Sequence, residues 1–477
     1  MNRLTGLDAS FLYLESSTQL LHVCGVVVLD PKTMPMAYSF ATLKAEIEVR
    51  VRAMPEFLRT LRTVPLHLDH PMWVVDQDFD IDRHVHRLTA PAPAGEEELA
   101  EIVGHLAGLP LDRGRPLWEM WVIEGLASGK IAVLSKMHHA TVDGVSGSNL
   151  ISALCTLDPA ELPAPNEDPD HELVTDRVPG DLELIGRSVV SAATRPLEFV
   201  KLVAPAAGIL TNWVGRARSG KAMPAPFTAP RTSFNATITG HRSAAFADFD
   251  LADVKKVKKV TGSTVNDVVL AVCGGALRRY LADRDELPET SLVSMVPVSV
   301  RDESQRSQGS NKVSGMFTKL FTEIEDPLER LKAISESNAD VKEHHHAIDA
   351  DTLQDWAQFA APRTFGTAVR VYSGLRLADR HPVVHNLVIS NVPGPPVPVY
   401  FMGAKIEALY PLGPVFHGAG LNITVMSNNG RMNVGLLACR ELMPAVWDLA
   451  KDIPLELDVM LDRLPAPKPK RSRGARA

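Results

Sequence analysis

The sequence has few cysteines, and none of them has the paired spacing of a disulfide framework or a zinc site. Four cysteines are scattered over 477 residues, each in an apolar run: Cys24, Cys155, Cys273 and Cys439. Isolated cysteines of this kind are typical of buried thiols in a reducing compartment. We therefore expect neither a disulfide-dependent fold nor a cysteine-ligated metal.

Long apolar segments are also missing. No uncharged stretch reaches the roughly 20 residues that a helix needs to span a bilayer. Residues 1–8 include an acid and no apolar core of signal-peptide length. We therefore expect a cytoplasmic protein, with peripheral contact at the inner face of the plasma membrane or at lipid droplets as an additional possibility.

Positive charge is not concentrated along most of the chain. The sequence has 50 Lys and Arg against 57 Asp and Glu, a net charge of −7. Nucleic-acid binding relies on dense positive charge facing the phosphates, so no nucleic-acid partner is expected. The exception is the basic, Pro-rich segment 468–476, which we interpret as a solvated tail or, alternatively, as a contact for anionic lipid headgroups.

Apolar residues are abundant enough for a large buried core. Hydrophobic residues make up 45% of the sequence and charged residues 22%, as in a globular protein. A chain of 477 residues exceeds the size at which a single core stops growing. We therefore expect two lobes with a cleft between them.

Strand-like and helix-like patterns alternate on both sides of a Pro- and acid-rich segment at 158–176. Strands are predicted at 21–29, 119–123, 131–137, 244–249, 291–298, 385–390, 421–426 and 432–437, and helices at 97–109, 264–281, 327–343 and 445–461. The strands at 119–123 and 131–137 are expected to form a hairpin.

These patterns predict an α/β fold of two related lobes. We place the lobes at residues 1–160 and 231–463, a linker at 161–230 and a disordered basic tail at 464–477. The pattern of the linker predicts short amphipathic helices that either pack across the lobe junction or contact a membrane surface.

Two adjacent histidines, His138 and His139, follow the strand predicted at 131–137. A histidine titrates near neutrality, so it can take a proton from an alcohol and return it to a leaving thiolate. Successive residues on extended backbone point to opposite sides, so only one of the pair can face a given cleft. We expect His139, where the strand passes into the loop, to face the ligand, and His138 to be structural.

Two further residues complete the motif. Asp143 is expected to anchor the loop to an arginine, with Arg301 as one candidate, and Gly144 permits a sharp bend. From residue types alone, two other interpretations stay open: a metal site and a pair of core histidines. Adjacent residues rarely ligate one ion, so we expect no metal.

Residues 138–144 match an HHxxxDG pattern that is shared by condensation domains and other CoA-dependent acyltransferases. Further segments resemble one family within that group, the bacterial wax ester synthase/diacylglycerol acyltransferases, and in particular the actinobacterial triacylglycerol synthases. These segments are LDASFLYLE at 7–15, RPLWE at 115–119, TVNDVVLA at 264–271 and SNVPGP at 390–395. In this order the resemblance covers nearly the whole chain except the basic tail.

The resemblance implies two chloramphenicol-acetyltransferase-like lobes of the CoA-dependent acyltransferase fold, with mixed sheets and a channel between the lobes. It implies an acyl-CoA-dependent O-acyltransferase that forms triacylglycerol from diacylglycerol and a long-chain acyl-CoA, and wax esters from fatty alcohols. His139 would then be the general base for the acceptor hydroxyl, with no covalent acyl-enzyme. Acyl-CoA is a co-substrate, and no cofactor is expected.

Asn266 is the candidate donor to the oxyanion of the tetrahedral intermediate, because it matches the asparagine of the family's ND segment. The alternative role is an N-cap of the helix that follows, and the two roles are compatible. Two other functions stay open for the whole protein: a carrier-protein-dependent condensation or acyltransferase domain, and a non-catalytic lipid-binding or lipid-droplet protein.

Overall fold

The computed structural model of the chain describes residues 2–65, 68–141, 154–160, 227–299, 313–345 and 362–465, with single residues at 180, 183 and 224. Asp143, Gly144, Arg301 and the basic segment 468–476 lie outside these ranges. So does most of the predicted linker.

Eight α-helices lie in the described part of the chain, and we number them in chain order. They are α1 Gly6–Leu14, α2 Phe40–Arg52, α3 Glu96–Ala107, α4 Leu251–Thr261, α5 Val265–Ala282, α6 Pro327–His345, α7 Pro362–Gly374 and α8 Val446–Asp462.

Sixteen strands are described in the same ranges. They are β1 Asn2–Arg3, β2 His22–Asp30, β3 Arg59–Arg62, β4 Met72–Val75, β5 Val85–Thr89, β6 Trp118–Glu124, β7 Ile131–His138, β8 Cys155–Thr156, β9 Arg242–Asp250, β10 Val293–Ser299, β11 Val313–Lys319, β12 Leu387–Val392, β13 Tyr400–Phe401, β14 Ala404–Leu412, β15 Leu421–Asn428 and β16 Arg431–Cys439. Every strand and helix predicted above is present, with its ends within two residues of the prediction.

The first large sheet has seven strands in the order β5-β6-β7-β2-β14-β13-β8. Its strands pair antiparallel except for β5 and β6, which are parallel. The predicted hairpin is confirmed, because β6 pairs with β7 in an antiparallel register. Every residue of β7 is buried, including the polar Ser135, Lys136 and His138 that follow its apolar first half at 131–134.

The second large sheet has six strands in the order β11-β10-β12-β15-β16-β9. Strand β12 pairs parallel with both of its neighbours, and the other pairs are antiparallel. Helices α5 and α8 pack against each other beside this sheet, and α5 is buried along most of its length. A small third sheet contains β1, β4 and β3.

The two large sheets interlock. Strand β14 follows β12 in the chain, yet it pairs with β2 in the first sheet. The prediction that residues 231–463 form a separate lobe is therefore incomplete, because β13 and β14 belong to the other sheet. Helix α3 also lies against the start of β9, where a Cβ at Gly104 would be 2.8 Å from the Arg242 carbonyl oxygen.

In the described part of the chain, no single helix is both long and apolar enough to cross a bilayer. One bent pair, Leu251–Thr261 with Val265–Ala282 at 105°, meets that requirement by length and composition when taken together.

Candidate active site

The histidine pair lies at the end of β7, where the strand is held on both sides. The N–H of His138 donates to the Leu117 carbonyl at 3.0 Å, and the N–H of His139 donates to the Leu21 carbonyl at 2.7 Å. Thr141 closes a turn immediately afterwards, because its N–H and its hydroxyl both donate to the His138 carbonyl, at 2.9 and 2.6 Å. These hydrogen bonds therefore fix the backbone at both histidines.

His138 is buried, with a relative exposure of 1%. Its Nδ1 accepts the backbone N–H of Ala140 at 3.0 Å, so the proton of a neutral imidazole is on Nε2. That Nε2 lies 3.5 Å from Oε1 of Glu15. With the Nδ1 lone pair engaged and Nε2 facing a carboxylate, this ring is poorly suited to accept a proton from a substrate.

Glu15 lies between two imidazoles. Its Oε1 is 3.3 Å from Nε2 of His22, the residue opposite His138 in the β2–β7 pairing, and its Oε2 is 2.5 Å from a guanidinium nitrogen of Arg113. Burial would raise the pKa of the Glu15 carboxyl, but the two histidines and Arg113 outweigh that effect and hold the pKa well below its usual range. The carboxylate is therefore ionised at neutral pH.

His139 has different surroundings. Its ring is half-buried and stacks on Phe11, with centroids 4.0 Å apart and an interplanar angle of 23°. Its Nδ1 is buried and has no hydrogen-bond partner among the described residues. Burial, with a smaller contribution from His138, lowers the pKa of His139 to about 4. At neutral pH the ring is therefore uncharged and has a lone pair available for a proton.

Helix α1 thus contacts both histidines, through Phe11 within the helix and Glu15 at its C-cap. Residues 7–15 carry part of the family resemblance, but the resemblance assigns no role to Phe11 or Glu15, and no sequence motif indicates His22 or Arg113. The sequence does contain one indication that Phe11 and Glu15 lie together. Phe11 and Glu15 are four residues apart, the spacing that places side chains on one face of a helix.

The PLW segment packs in the core beneath the motif. Leu117 and Trp118 are almost fully buried, and the Trp118 indole N–H donates to the Phe57 carbonyl at 2.8 Å. The Trp118 ring also stacks on His84, with centroids 4.6 Å apart. These contacts indicate a structural role for the segment.

Asn266 is not the N-cap of its helix. Thr264 caps α5 by accepting the N–H of Asp267 at 3.1 Å, and the Asp267 carboxylate accepts the N–H of Thr264 at 2.9 Å. Asp267 also accepts a hydrogen bond at 2.8 Å from Asn338 of α6. The capping alternative for Asn266 is therefore wrong, because the neighbouring residues satisfy the helix terminus.

The half-buried amide of Asn266 makes no hydrogen bond to another described residue. Its role as an oxyanion donor stays a prediction. The roles of Asp143 and Gly144 fall on residues outside the described ranges.

Other groups in the described ranges give little basis for different chemistry. No set of three His, Cys, Asp or Glu side chains lies close enough there to hold a metal ion. Burial raises the pKa of the thiols of Cys24, Cys155 and Cys273 to about 12, which makes them poor nucleophiles. A cavity of about 630 Å³ beside α3 and α8 is not lined by either histidine.

Two interlocked mixed sheets, with a histidine pair at the end of a central strand, define a class of two-lobed α/β acyltransferase folds. The first condensation domain of the calcium-dependent antibiotic synthetase shares this fold at 14% identity and a TM-score of 0.55, covering 96% of this chain and 95% of that one. The wax ester synthase/diacylglycerol acyltransferase from Marinobacter aquaeolei VT8 is more similar, with 28% identity and a TM-score of 0.69, covering 96% and 98%.

Residues 4–269 match the family model of the wax ester synthase/diacylglycerol acyltransferase catalytic domain, and residues 309–460 match the C-terminal domain of the same family. The chain therefore belongs to the wax ester synthase/diacylglycerol acyltransferase family. A Mycobacterium tuberculosis protein is 45% identical over 463 residues, which are 97% of this chain and 90% of that protein. Another, tgs2, is 34% identical over 443 residues, covering 92% and 94%. Both relatives are assigned as diacylglycerol O-acyltransferases.

Proposed function

We propose that this chain is an acyl-CoA-dependent diacylglycerol O-acyltransferase that forms triacylglycerol, and that it also esterifies long-chain fatty alcohols to wax esters. Membership of the family and the assigned activity of the mycobacterial relatives support this proposal. The observation that carries it is the uncharged, half-buried ring of His139, stacked on α1 beside His138, whose Nδ1 already accepts a backbone N–H.

In the proposed reaction His139 is the general base. The unprotonated nitrogen of its neutral ring takes the proton of the acceptor hydroxyl, and the hydroxyl oxygen attacks the thioester carbonyl of acyl-CoA. The tetrahedral intermediate then collapses with cleavage of the C–S bond, and His139 returns the proton to the CoA thiolate. Asn266 is the candidate donor to the oxyanion, a role worth about 3 kcal/mol in other acyl transfers.

The remaining groups position the base. His138 holds the N–H of Ala140 through Nδ1, and the Glu15 carboxylate faces its Nε2, so the backbone that carries His139 is fixed. The raised thiol pKa values support direct transfer without an acyl-cysteine. Acyl-CoA is the co-substrate in this proposal, which requires no cofactor.

Diacylglycerol is the preferred acceptor in the proposal. Because diacylglycerol resides in membranes and lipid droplets, the proposal includes peripheral contact of the protein with such a surface. The carrier-protein-dependent alternative has only the fold in its favour, since the condensation domain is 14% identical.

The decisive experiment is an assay of CoA release by the purified protein. Oleoyl-CoA should release free thiol only when dioleoylglycerol or hexadecanol is present, and faster with dioleoylglycerol. Absence of release with both acceptors across acyl chain lengths would overturn the enzymatic proposal. Binding of acyl-CoA without release would instead indicate the non-catalytic lipid-binding alternative.

The same assay separates the two histidines. His139→Ala should lose about 10²–10⁴-fold in kcat, the usual contribution of a general base. His138→Ala should lose less, because that ring acts through the backbone. Equal losses would mean that the base is wrongly assigned or that the two rings act together.

A further inference from the structure

The outward face of α7 has an unusual composition for a helix in contact with water. Thr367, Arg370, Val371 and Gly374 of α7 and Leu375, the residue immediately after it, are all exposed, and their spacing of three and four residues places them on one side of the helix. Val371 is 49% exposed and Leu375 is 56% exposed. A face in contact with water normally carries charged and polar side chains, whereas this one carries two large aliphatic residues.

The charge around this face has one predominant sign. Arg370, Arg376 and Arg380 are exposed, and the single acid within residues 367–380 is Asp379. Asp379 pairs with Arg376 at 2.8 Å, which leaves an excess of positive charge. Exposed aliphatic side chains flanked by arginines are the composition of helices that lie in a bilayer interface.

A third exposed apolar side chain lies next to the helix. Phe227 is 55% exposed, and its ring meets that of His381 edge-on with centroids 6.2 Å apart. The ring of His381 bonds to the hydroxyl of Tyr372, which is part of α7. Phe227 therefore extends the apolar surface beyond the helix. We call Phe227, Val371 and Leu375, with the flanking Arg370 and Arg380, the α7 face.

We propose that the α7 face is the surface through which the protein binds a bilayer containing anionic lipids. The apolar side chains would enter the acyl boundary, and the arginines would contact the headgroup phosphates. This inference rests on the proposed function for its purpose, since a diacylglycerol acceptor has to be drawn from such a surface.

The position of α7 relative to the active site supports this assignment. Helix α7 packs against α1, and α1 carries the Phe11 ring that stacks on His139 and ends beside Glu15. Helices α7 and α1 therefore lie between a bilayer bound at the α7 face and the histidine pair.

Vesicle binding tests the proposal independently of catalysis. The full chain should co-sediment with vesicles of phosphatidylcholine and phosphatidylglycerol in equal amounts, and much less with phosphatidylcholine alone. The double variant Val371→Ser/Leu375→Ser should bind the anionic vesicles about tenfold more weakly, because two partly buried aliphatic side chains are lost from the contact. Binding equal to that of the native chain would overturn the proposal.

A matched control is available on other helices. Val260 and Leu455 are 46% and 48% exposed, and Val260→Ser/Leu455→Ser should leave vesicle binding unchanged. An equal loss in both double variants would also overturn the proposal, because the effect would not be specific to α7.

A second variant tests the same surface through a gain of signal, so that the test does not depend on correct folding of the serine variant. Leu375→Trp should show a blue shift and an increase in tryptophan emission on addition of the anionic vesicles, relative to the native chain. An emission spectrum unchanged by vesicles would contradict insertion of this face. Because neither measurement uses acyl-CoA, failure of the proposed acyl transfer and failure of this surface are distinguishable.

Discussion

Replacing Glu15 by glutamine removes one charge from the group that holds the histidine pair and changes little else in shape. The carboxylate is 10% exposed and faces His138 at 3.5 Å, His22 at 3.3 Å and Arg113 at 2.5 Å. The variant keeps an oxygen acceptor for these groups but loses the charge that attracts the Nε2 proton of His138. We therefore expect a loss of orientation at the backbone that carries His139.

The structure allows an estimate of the size of the effect. A hydrogen bond to a charged group contributes about 1.5–3 kcal/mol. The Nε2–Oε1 contact at 3.5 Å is electrostatic and lacks hydrogen-bond geometry, which favours the lower half of that range. If this interaction energy is lost in the transition state and not in the ground state, kcat decreases about 10- to 50-fold. The stability cost should be about 1–2 kcal/mol, because the half-exposed Arg113 can be solvated by water.

The assay is steady-state CoA release at a temperature well below unfolding, with Glu289→Gln as the control at an exposed acid. A positioning role lowers kcat and leaves the KM for acyl-CoA unchanged. An unchanged kcat, or a rise in KM alone, would refute the reasoning. Because the folded-state pKa of Glu15 is lowered, its carboxylate stabilises the fold above its ordinary pKa of 4.5, and this contribution is lost as the pH falls. The glutamine variant should therefore lose less stability than the native chain on acidification.

Three further predictions concern residues around the pair. In a plot of kcat/KM against pH, the acidic limb should have its midpoint near pH 4, because His139 must be neutral and burial lowers its pKa to about 4. A midpoint at pH 6.5 would contradict this assignment. Asn266→Ala should lower kcat up to about 10²-fold and leave the melting temperature unchanged, whereas Asp267→Asn should lower the melting temperature. A lower melting temperature for Asn266→Ala with an unchanged kcat would exclude the oxyanion role. Phe11→Leu should lower kcat about 2- to 10-fold, because the loss of one aromatic contact costs about 0.5–1.5 kcal/mol. An unchanged kcat would show that stacking on Phe11 does not orient His139.

Local patterns were sufficient to predict eight of the sixteen described strands and four of the eight described helices. β2, β7 and β15 are runs of apolar and β-branched residues, and α5 and α8 have helical periodicity, so their ends are predicted to within two residues. No strand is predicted at 404–412, and the sequence pattern there does not reveal the partner of β14. β14 pairs with β2, a strand from the other end of the chain.

The N-terminal part of the site was also missed. The sequence presents Glu15 as the end of a short amphipathic segment, and nothing local indicates that this acid is buried. Its burial depends on the packing of α1 against the end of β7 and on Arg113, which is far away in the chain. An acid at the end of a helix is ordinarily solvated.

The sequence by itself determined the strand that delivers the histidine pair, because strand periodicity is a local property. Residue types alone left a metal site and a pair of core histidines open, and the family resemblance selected the reaction type. The resemblance carried by motifs along the chain determined the family, which the comparisons confirm. Only the tertiary structure decided how the two histidines differ. One imidazole accepts a backbone N–H and faces a buried carboxylate, while the other stacks on an aromatic ring and stays uncharged. These differences come from residues far apart in sequence that folding brings into contact, and no local pattern encodes them.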